Sequence, residues 1–243
     1  MAGETGGPAP GEPALAQVIP LKGWRRTMAE RMAQSHAEHA QVTQLREVDA
    51  QALSTLRQRL LADAERSSGV KVTFTHLLVV ALARALGRHS LLNSGIVGEE
   101  LRLYADVNVS LAVALPDGAL VAPVIRQANQ KNLDEVAAAA VDLAERARAR
   151  RLRPDDLAGG TITLTNAGMY GTDYVTPLIS AGQNAALGVG RIVPKPVVWE
   201  GQIAIRPRLG LSLAYDHRAI TGAVAAQFFQ ALQQVIEAPE GLA

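Results

Sequence analysis

Apolar positions along the chain switch between two spacings, and each switch marks an element. Trp24, Met28, Met32 and Ser35 recur at helical spacing among Arg and Glu, which predicts a helix over 24–39. Val42 to Val48 reads as extended. Asp49 is placed to cap a helix over 50–64, which Ser67-Ser68-Gly69 breaks. Thr73 or Thr75 opens a strongly apolar helix over 77–86, expected to be buried on most sides. Then the period falls to two: Val107, Val109, Leu111, Val113 and Leu115 alternate with Asn108, Ser110, Ala112 and Ala114. Pro116-Asp117-Gly118 supplies a fixed φ, a local side-chain acceptor and a free φ, so Leu120 to Ile125 returns as the second strand of a hairpin.

Asn132 caps a predicted helix over 133–151, acidic in its first turn and basic at its end, as the helix dipole favours. Pro154-Asp155-Asp156 starts a short turn, and Gly159-Gly160 leads into a strand over 161–165. Further strands are predicted over 185–193, 197–205 and 209–215, and a closing helix over 220–236. Hairpins dominate the pairing. The fold class expected is therefore α+β, a mixed, largely antiparallel sheet with helices packed on one face. No G-x-G-x-x-G follows a strand and no phosphate-binding P-loop is present, which argues against a dinucleotide-binding fold. Residues 1–16 read as an Ala/Pro/Gly tether and residues 17–243 as one domain without repeats.

Composition narrows the function classes. The formal net charge of the 243 residues is +1, which marks neither a nucleic-acid nor an anionic-membrane partner. The strongest basic block, Arg146 to Arg153, reads as a solvated helix end. The chain has no cysteine, which excludes disulfides, thiolate metal sites and a catalytic thiol. Met1 to Pro13 lacks the apolar stretch of a signal peptide, apolar runs such as 77–83 fall far short of a membrane span, and a cytoplasmic enzyme is expected.

Five histidines are candidates for chemistry. His36 and His39 stand three apart with no third metal ligand evident, and His76 and His89 flank the apolar helix; all four read as structural, and no metal is expected. His217 follows a predicted strand and precedes a helix, where an imidazole can be presented as a base. Taken alone, the spacing leaves that role balanced against a hydrogen-bonded histidine at a strand end.

The segment Asp216-His217-Arg218-x-x-x-Gly222-Ala223 resembles the signature of the dihydrolipoamide acyltransferases, the core components of 2-oxo acid dehydrogenase complexes. Pro20-Leu21-Lys22-Gly23-Trp24-Arg25-Arg26 is similar to that family's opening helix, and Asp106 to Val109 with Pro116 to Ile125 to its central hairpin. Gly160-Thr161-Ile162-Thr163-Leu164-Thr165-Asn166-Ala167-Gly168 and Ala186-Leu187-Gly188-Val189-Gly190 are similar to its late strands, in the same order.

The resemblance implies a fold like that of chloramphenicol acetyltransferase, a homotrimer with active sites between subunits, and a larger symmetric shell. It implies coenzyme A as substrate, with His217 as the base that makes the thiolate and Thr165 as hydroxyl donor to the tetrahedral oxyanion. Thr221 falls at the family's third site position, and Arg25, Asn166 and Gly168 near the channel. Lipoamide is expected on a separate lipoyl domain, since nothing in the chain is long enough to be one. The E1 and E3 components of the complex are the implied partners. Acetyl is the first expectation for the acyl group, as in a pyruvate dehydrogenase complex, and branched-chain acyl the second.

Three departures stand out. Thr221 replaces the family's Asp or Asn, Ser180-Ala181-Gly182 stands where Asn-Pro-Pro precedes a Gln, and Ala40-Gln41 replaces a Pro-His pair. They keep open an alternative, a catalytically weak core serving as an assembly scaffold. A more remote one is acyl transfer to a small alcohol or amine.

Overall fold

The computed structural model describes residue 13 and residues 15–67 and 70–242. The tether expected over 1–16 thus lies outside the described residues except at Pro13, Leu15 and Ala16, as do Ser68 and Gly69 of the predicted helix break. Five α-helices are described: α1 (Trp24–Glu38), α2 (Gln51–Ser67), α3 (Phe74–Leu86), α4 (Leu133–Arg148) and α5 (Gly222–Glu237). The strands are β1 (Gln41–Asp49), β2 (Ser94–Val97), β3 (Glu100–Leu103), β4 (Val109–Leu111), β5 (Val113–Ala114), β6 (Leu120–Val121), β7 (Val124–Ile125), β8 (Ile162–Asn166), β9 (Ala185–Trp199) and β10 (Gln202–Asp216).

Six strands form the main sheet in the order β1-β10-β9-β8-β4-β7. β8 runs parallel to both β4 and β9, and the other pairs are antiparallel. This is the expected mixed, largely antiparallel sheet. Alternation gives it two faces. Ile162, Leu164, Leu187, Val189, Leu211, Leu213 and Tyr215 point into the core, where α2, α3, α4 and α5 cover them. α3 is buried on nearly every side, as its uninterrupted apolar run requires, and Thr73 caps it in a reciprocal box with His76.

The opposite face carries small residues because backbone crosses it. A Cβ on Gly190 would meet the Asp173 carbonyl oxygen at 1.8 Å, and one on Gly188 the Val175 oxygen at 2.3 Å. The segment leading from β8 to β9 therefore lies directly on the sheet.

Several predicted elements differ. The three late strands are two, β9 and β10, each 15 residues long. Pro194, Pro196 and Pro207 are accommodated within them because they lie where β8 and β1 no longer pair, so no neighbouring strand asks for their missing N–H groups. The β2–β3 hairpin is absent from the sequence pattern, because four-residue strands carry too little periodicity. The hairpin over 107–125 forms as two short ladders, β4 with β7 and β5 with β6, with the Ala112 N–H donating to Leu164 instead. The Arg146–Arg153 block is not simply solvated: Arg146 and Arg153 bond Asp156, and Arg150 pairs with Asp117.

α1 stands apart from the helical layer. Only Ser35 is buried on it, while Met28 and Met32 stay about two-fifths exposed. Leu15, Val18, Ile19 and Leu21 ahead of it are exposed as well, as are Val198, Ile203 and Ile205 at the far end of the β9–β10 hairpin.

Candidate active site

His217 is the first residue after β10. Its backbone N–H donates to the Ala40 carbonyl (2.9 Å), and the preceding Asp216 N–H to the Asn184 carbonyl (2.9 Å). Asp216 is fully buried and faces Arg218, whose Nε lies 3.0 Å from each carboxylate oxygen and whose own N–H donates to Oδ1. Burial pushes the Asp216 carboxyl up, but the Arg218 bonds and charge outweigh it and hold the group below the ordinary aspartate range. Asp216 and Arg218 thus lock the junction. The His217 imidazole is exposed, with Tyr215 as its aromatic neighbour at 5.9 Å between ring centroids.

Thr165 lies on β8, on the face opposite Leu164, half-buried and directly across from Gly188. Gly188 in turn pairs with Ser212 on β10, five residues short of His217. Two strand spacings sideways and five residues along place Thr165 and His217 roughly 19 Å apart in one chain. Their side chains do not meet within a single copy.

Asn166 has a holding role. Its Nδ2 donates to Thr75 Oγ1 at the start of α3 (2.9 Å), and its Oδ1 accepts from the Gly168 N–H (2.9 Å). Gly168 permits a close backbone approach, since a Cβ there would come within 2.5 Å of the Gly190 oxygen. Arg25, half-buried in the first turn of α1, lays its guanidinium over the Trp24 ring at 4.5 Å. Thr221 is the N-cap of α5: its hydroxyl oxygen accepts from the Val224 N–H at 3.5 Å, which leaves its proton free to donate. The helix expected over 220–236 put Thr221 two positions further in, within the first helical turn.

A groove beside this strand end was not legible along the chain. A cavity of about 720 Å³ opens between the start of α3, α4 and the turn after β8. Asn166 and Gly168 line it, and Arg57, Lys71, Arg148 and Arg191 surround it against a single acid, Glu145. These cations come from four separate elements, so no run in the sequence announces them. Among the described residues no cluster of three or more His, Cys, Asp or Glu is placed to hold a metal, and no helix is long and apolar enough to cross a membrane.

Comparison with known proteins meets this geometry from outside. Residues 13–243 match the family model for the catalytic domain of 2-oxoacid dehydrogenase acyltransferases. The chain is 38% identical over 227 residues to the dihydrolipoyllysine-residue acetyltransferase component of the acetoin cleaving system of Bacillus subtilis, covering 93% of this chain and 57% of that protein. It is 34% identical over 224 residues to the succinyltransferase component of the 2-oxoglutarate dehydrogenase complex of Haemophilus influenzae, covering 92% and 54%. The chain thus spans little more than half the length of these relatives.

Among solved structures it is similar to the dihydrolipoamide acetyltransferase of Azotobacter vinelandii (TM-score 0.87, 34% identity, 94% of this chain and 96% of that one). That structure was used to examine a serine, a histidine and an asparagine in the catalytic mechanism. The serine and histidine there are 52 residues apart and the asparagine follows by four, the spacings of Thr165, His217 and Thr221 here. A chloramphenicol acetyltransferase shares the fold at 16% identity and TM-score 0.50, over 90% of this chain and 99% of that one. The chain belongs to the 2-oxo acid dehydrogenase acyltransferase family, of which it carries the catalytic domain.

Proposed function

We propose that the protein transfers an acyl group reversibly between dihydrolipoamide and coenzyme A, at a site shared by two copies of the chain. The observation that supports this is the pair of spacings, 52 and four residues, that Thr165, His217 and Thr221 share with the serine, histidine and asparagine of the Azotobacter acetyltransferase. The imidazole of His217 takes the proton of the coenzyme A thiol. The thiolate attacks the thioester carbonyl of acyl-lipoamide, and the Thr165 hydroxyl donates to the oxyanion that forms. Collapse of the tetrahedral intermediate breaks the bond to the lipoyl sulfur, which takes the proton back from His217.

The basic groove suits the other end of the substrate. Arg57, Lys71 and Arg148 offer charge to the phosphates of coenzyme A, and Asn166, next to Thr165, links groove and strand. A second copy is required because the two catalytic groups lie roughly 19 Å apart within one chain. The exposed faces of α1, the 15–21 segment and the β9–β10 tip provide apolar surface for such contacts. The assembly is read as a homotrimer within a larger symmetric shell, served by lipoyl domains and by the E1 and E3 components, in the cytoplasm.

Acetyl is the acyl group proposed. Gly188 faces Thr165, and Val175 closes over Gly188, so this wall offers no cation to a succinyl carboxylate. Turnover with free dihydrolipoamide and acetyl-, isobutyryl- or succinyl-coenzyme A tests both levels. Acetyl transfer is expected to be fastest. Faster succinyl transfer overturns the acyl assignment alone, and no transfer with any donor moves the protein to the scaffold alternative.

A further inference from the structure

We infer that His39 is a positioning residue for the base, holding the Asp216–His217 junction in place through a closed circuit of hydrogen bonds. The inference builds on the assignment of His217 as base. His39 ends α1 and is half-buried. Its Nδ1 lies 2.7 Å from the Ser35 carbonyl oxygen, in the last turn of α1, where acceptors lack helical partners. Its Nε2 lies 3.2 Å from the Gln183 carbonyl oxygen, 144 residues further along the chain. Both partners are acceptors only, so both contacts are bonds when both ring nitrogens carry protons.

The next residue on each side of this bridge touches the catalytic junction. Ala40, after His39, accepts from the His217 N–H, and Asn184, after Gln183, accepts from the Asp216 N–H. The ring thus joins the two strands of backbone that grip two successive amides at the base. Asp216 is also within electrostatic reach of His39.

Two other bonds tie the same segments: Ser35 Oγ to the Ile179 oxygen, and Gln41 Nε2 to the Pro177 oxygen at 3.1 Å. The Ser35 bond lies away from the carbonyls that hold the junction; Gln41 follows Ala40 and steadies that side alone, whereas Asn184, on the other side, has His39 as the link through Gln183. Loss of His39 is therefore expected to loosen 216–217 locally while α1 stays docked. An imidazole set about 1 Å off its productive place costs turnover rather than binding. The loop that His39 grips, Ser180–Gln183, is one of the places where the chain departs from the family pattern.

His39→Leu removes the ring's hydrogen bonds at similar volume, and His39→Gln keeps an amide donor for the Gln183 oxygen. Amide hydrogen–deuterium exchange of the peptide holding Asp216 and His217 reports the brace without any turnover. Exchange there is expected to rise about fivefold in His39→Leu, the effect of one net hydrogen bond. Its kcat is expected to fall about five- to tenfold, with KM for coenzyme A and dihydrolipoamide within twofold and assembly unchanged by sedimentation. His39→Gln stays within about threefold of wild type in both readouts.

Wild-type exchange in His39→Leu overturns the brace, as does a loss confined to KM, or a glutamine variant as defective as the leucine one. Failure of the underlying assignment shows separately: His217→Ala then turns over normally, while the exchange measurement still reports on His39.

Discussion

Complementation between two inactive variants tests the shared site most directly. His217→Ala keeps Thr165 and lacks the base; Thr165→Ala keeps the base and lacks the oxyanion donor. Each alone is expected to be slow, by about 10²–10⁴-fold for the base and about 10²–10³-fold for the donor. In one chain the register separates the two groups by two strand spacings and five residues, roughly 19 Å, against a hydrogen-bond reach of about 3 Å. A working site must then take His217 from one copy and Thr165 from its neighbour. When the two variants are co-expressed in equal amounts and assemble at random, half the positions supply an intact base and half an intact donor. About a quarter of the sites in a cyclic assembly then hold both intact groups. Turnover per chain should recover to about a quarter of wild type, far above either parent. Mixed assemblies no faster than the mean of the two parents would refute the shared site, and so would a fully active monomer in the sedimentation profile.

Thr165→Ser keeps a hydroxyl at the proposed oxyanion donor, so its kcat should stay within about threefold of wild type, measured beside Thr165→Ala. Thr221→Asn keeps a helix cap and adds an amide toward the imidazole, and turnover should rise; Thr221→Val loses the cap and about 1 kcal/mol of stability. Equal rates in wild type and both variants would leave Thr221 with capping alone. Acid should unfold the protein through its paired carboxylates. Glu47 is held low by its bond to Lys195; in Asp49 and Asp216 burial is outweighed by Arg206 and by Arg218. All three have folded values below their unfolded ones, so the stability they give is present above about pH 4 and is lost as pH falls through the folded values. Melting temperature followed from pH 7 to 3 should hold and then drop below about pH 4, with a smaller drop in Asp49→Asn.

Most elements and the candidate chemistry are legible along the chain. Periods of 3.6 and 2 marked α3, the hairpin over 107–125 and the late strands, because local spacing records which side of an element meets the core. The motifs around His217 and Thr165 identified the residue types that acyl transfer needs. Asn132 caps α4 where its position suggested, whereas Asp49, expected to cap α2, ends β1 one residue before the helix's cap position and accepts from the Gln51 N–H there. The three late strands expected over 185–193, 197–205 and 209–215 are two, and the prolines between those ranges fit inside them because a proline's cost depends on whether a neighbouring strand asks for its N–H, which only sheet order settles. The polar helix α1 gave no clue that it carries His39 against Gln183, a contact across 144 residues. Nor did any run foretell the basic groove, since Arg57, Lys71, Arg148 and Arg191 converge only on folding. The separation of Thr165 from His217 is likewise a property of register. Residue order proposes the two groups, but the pairing of β8, β9 and β10 decides that one chain cannot bring them together.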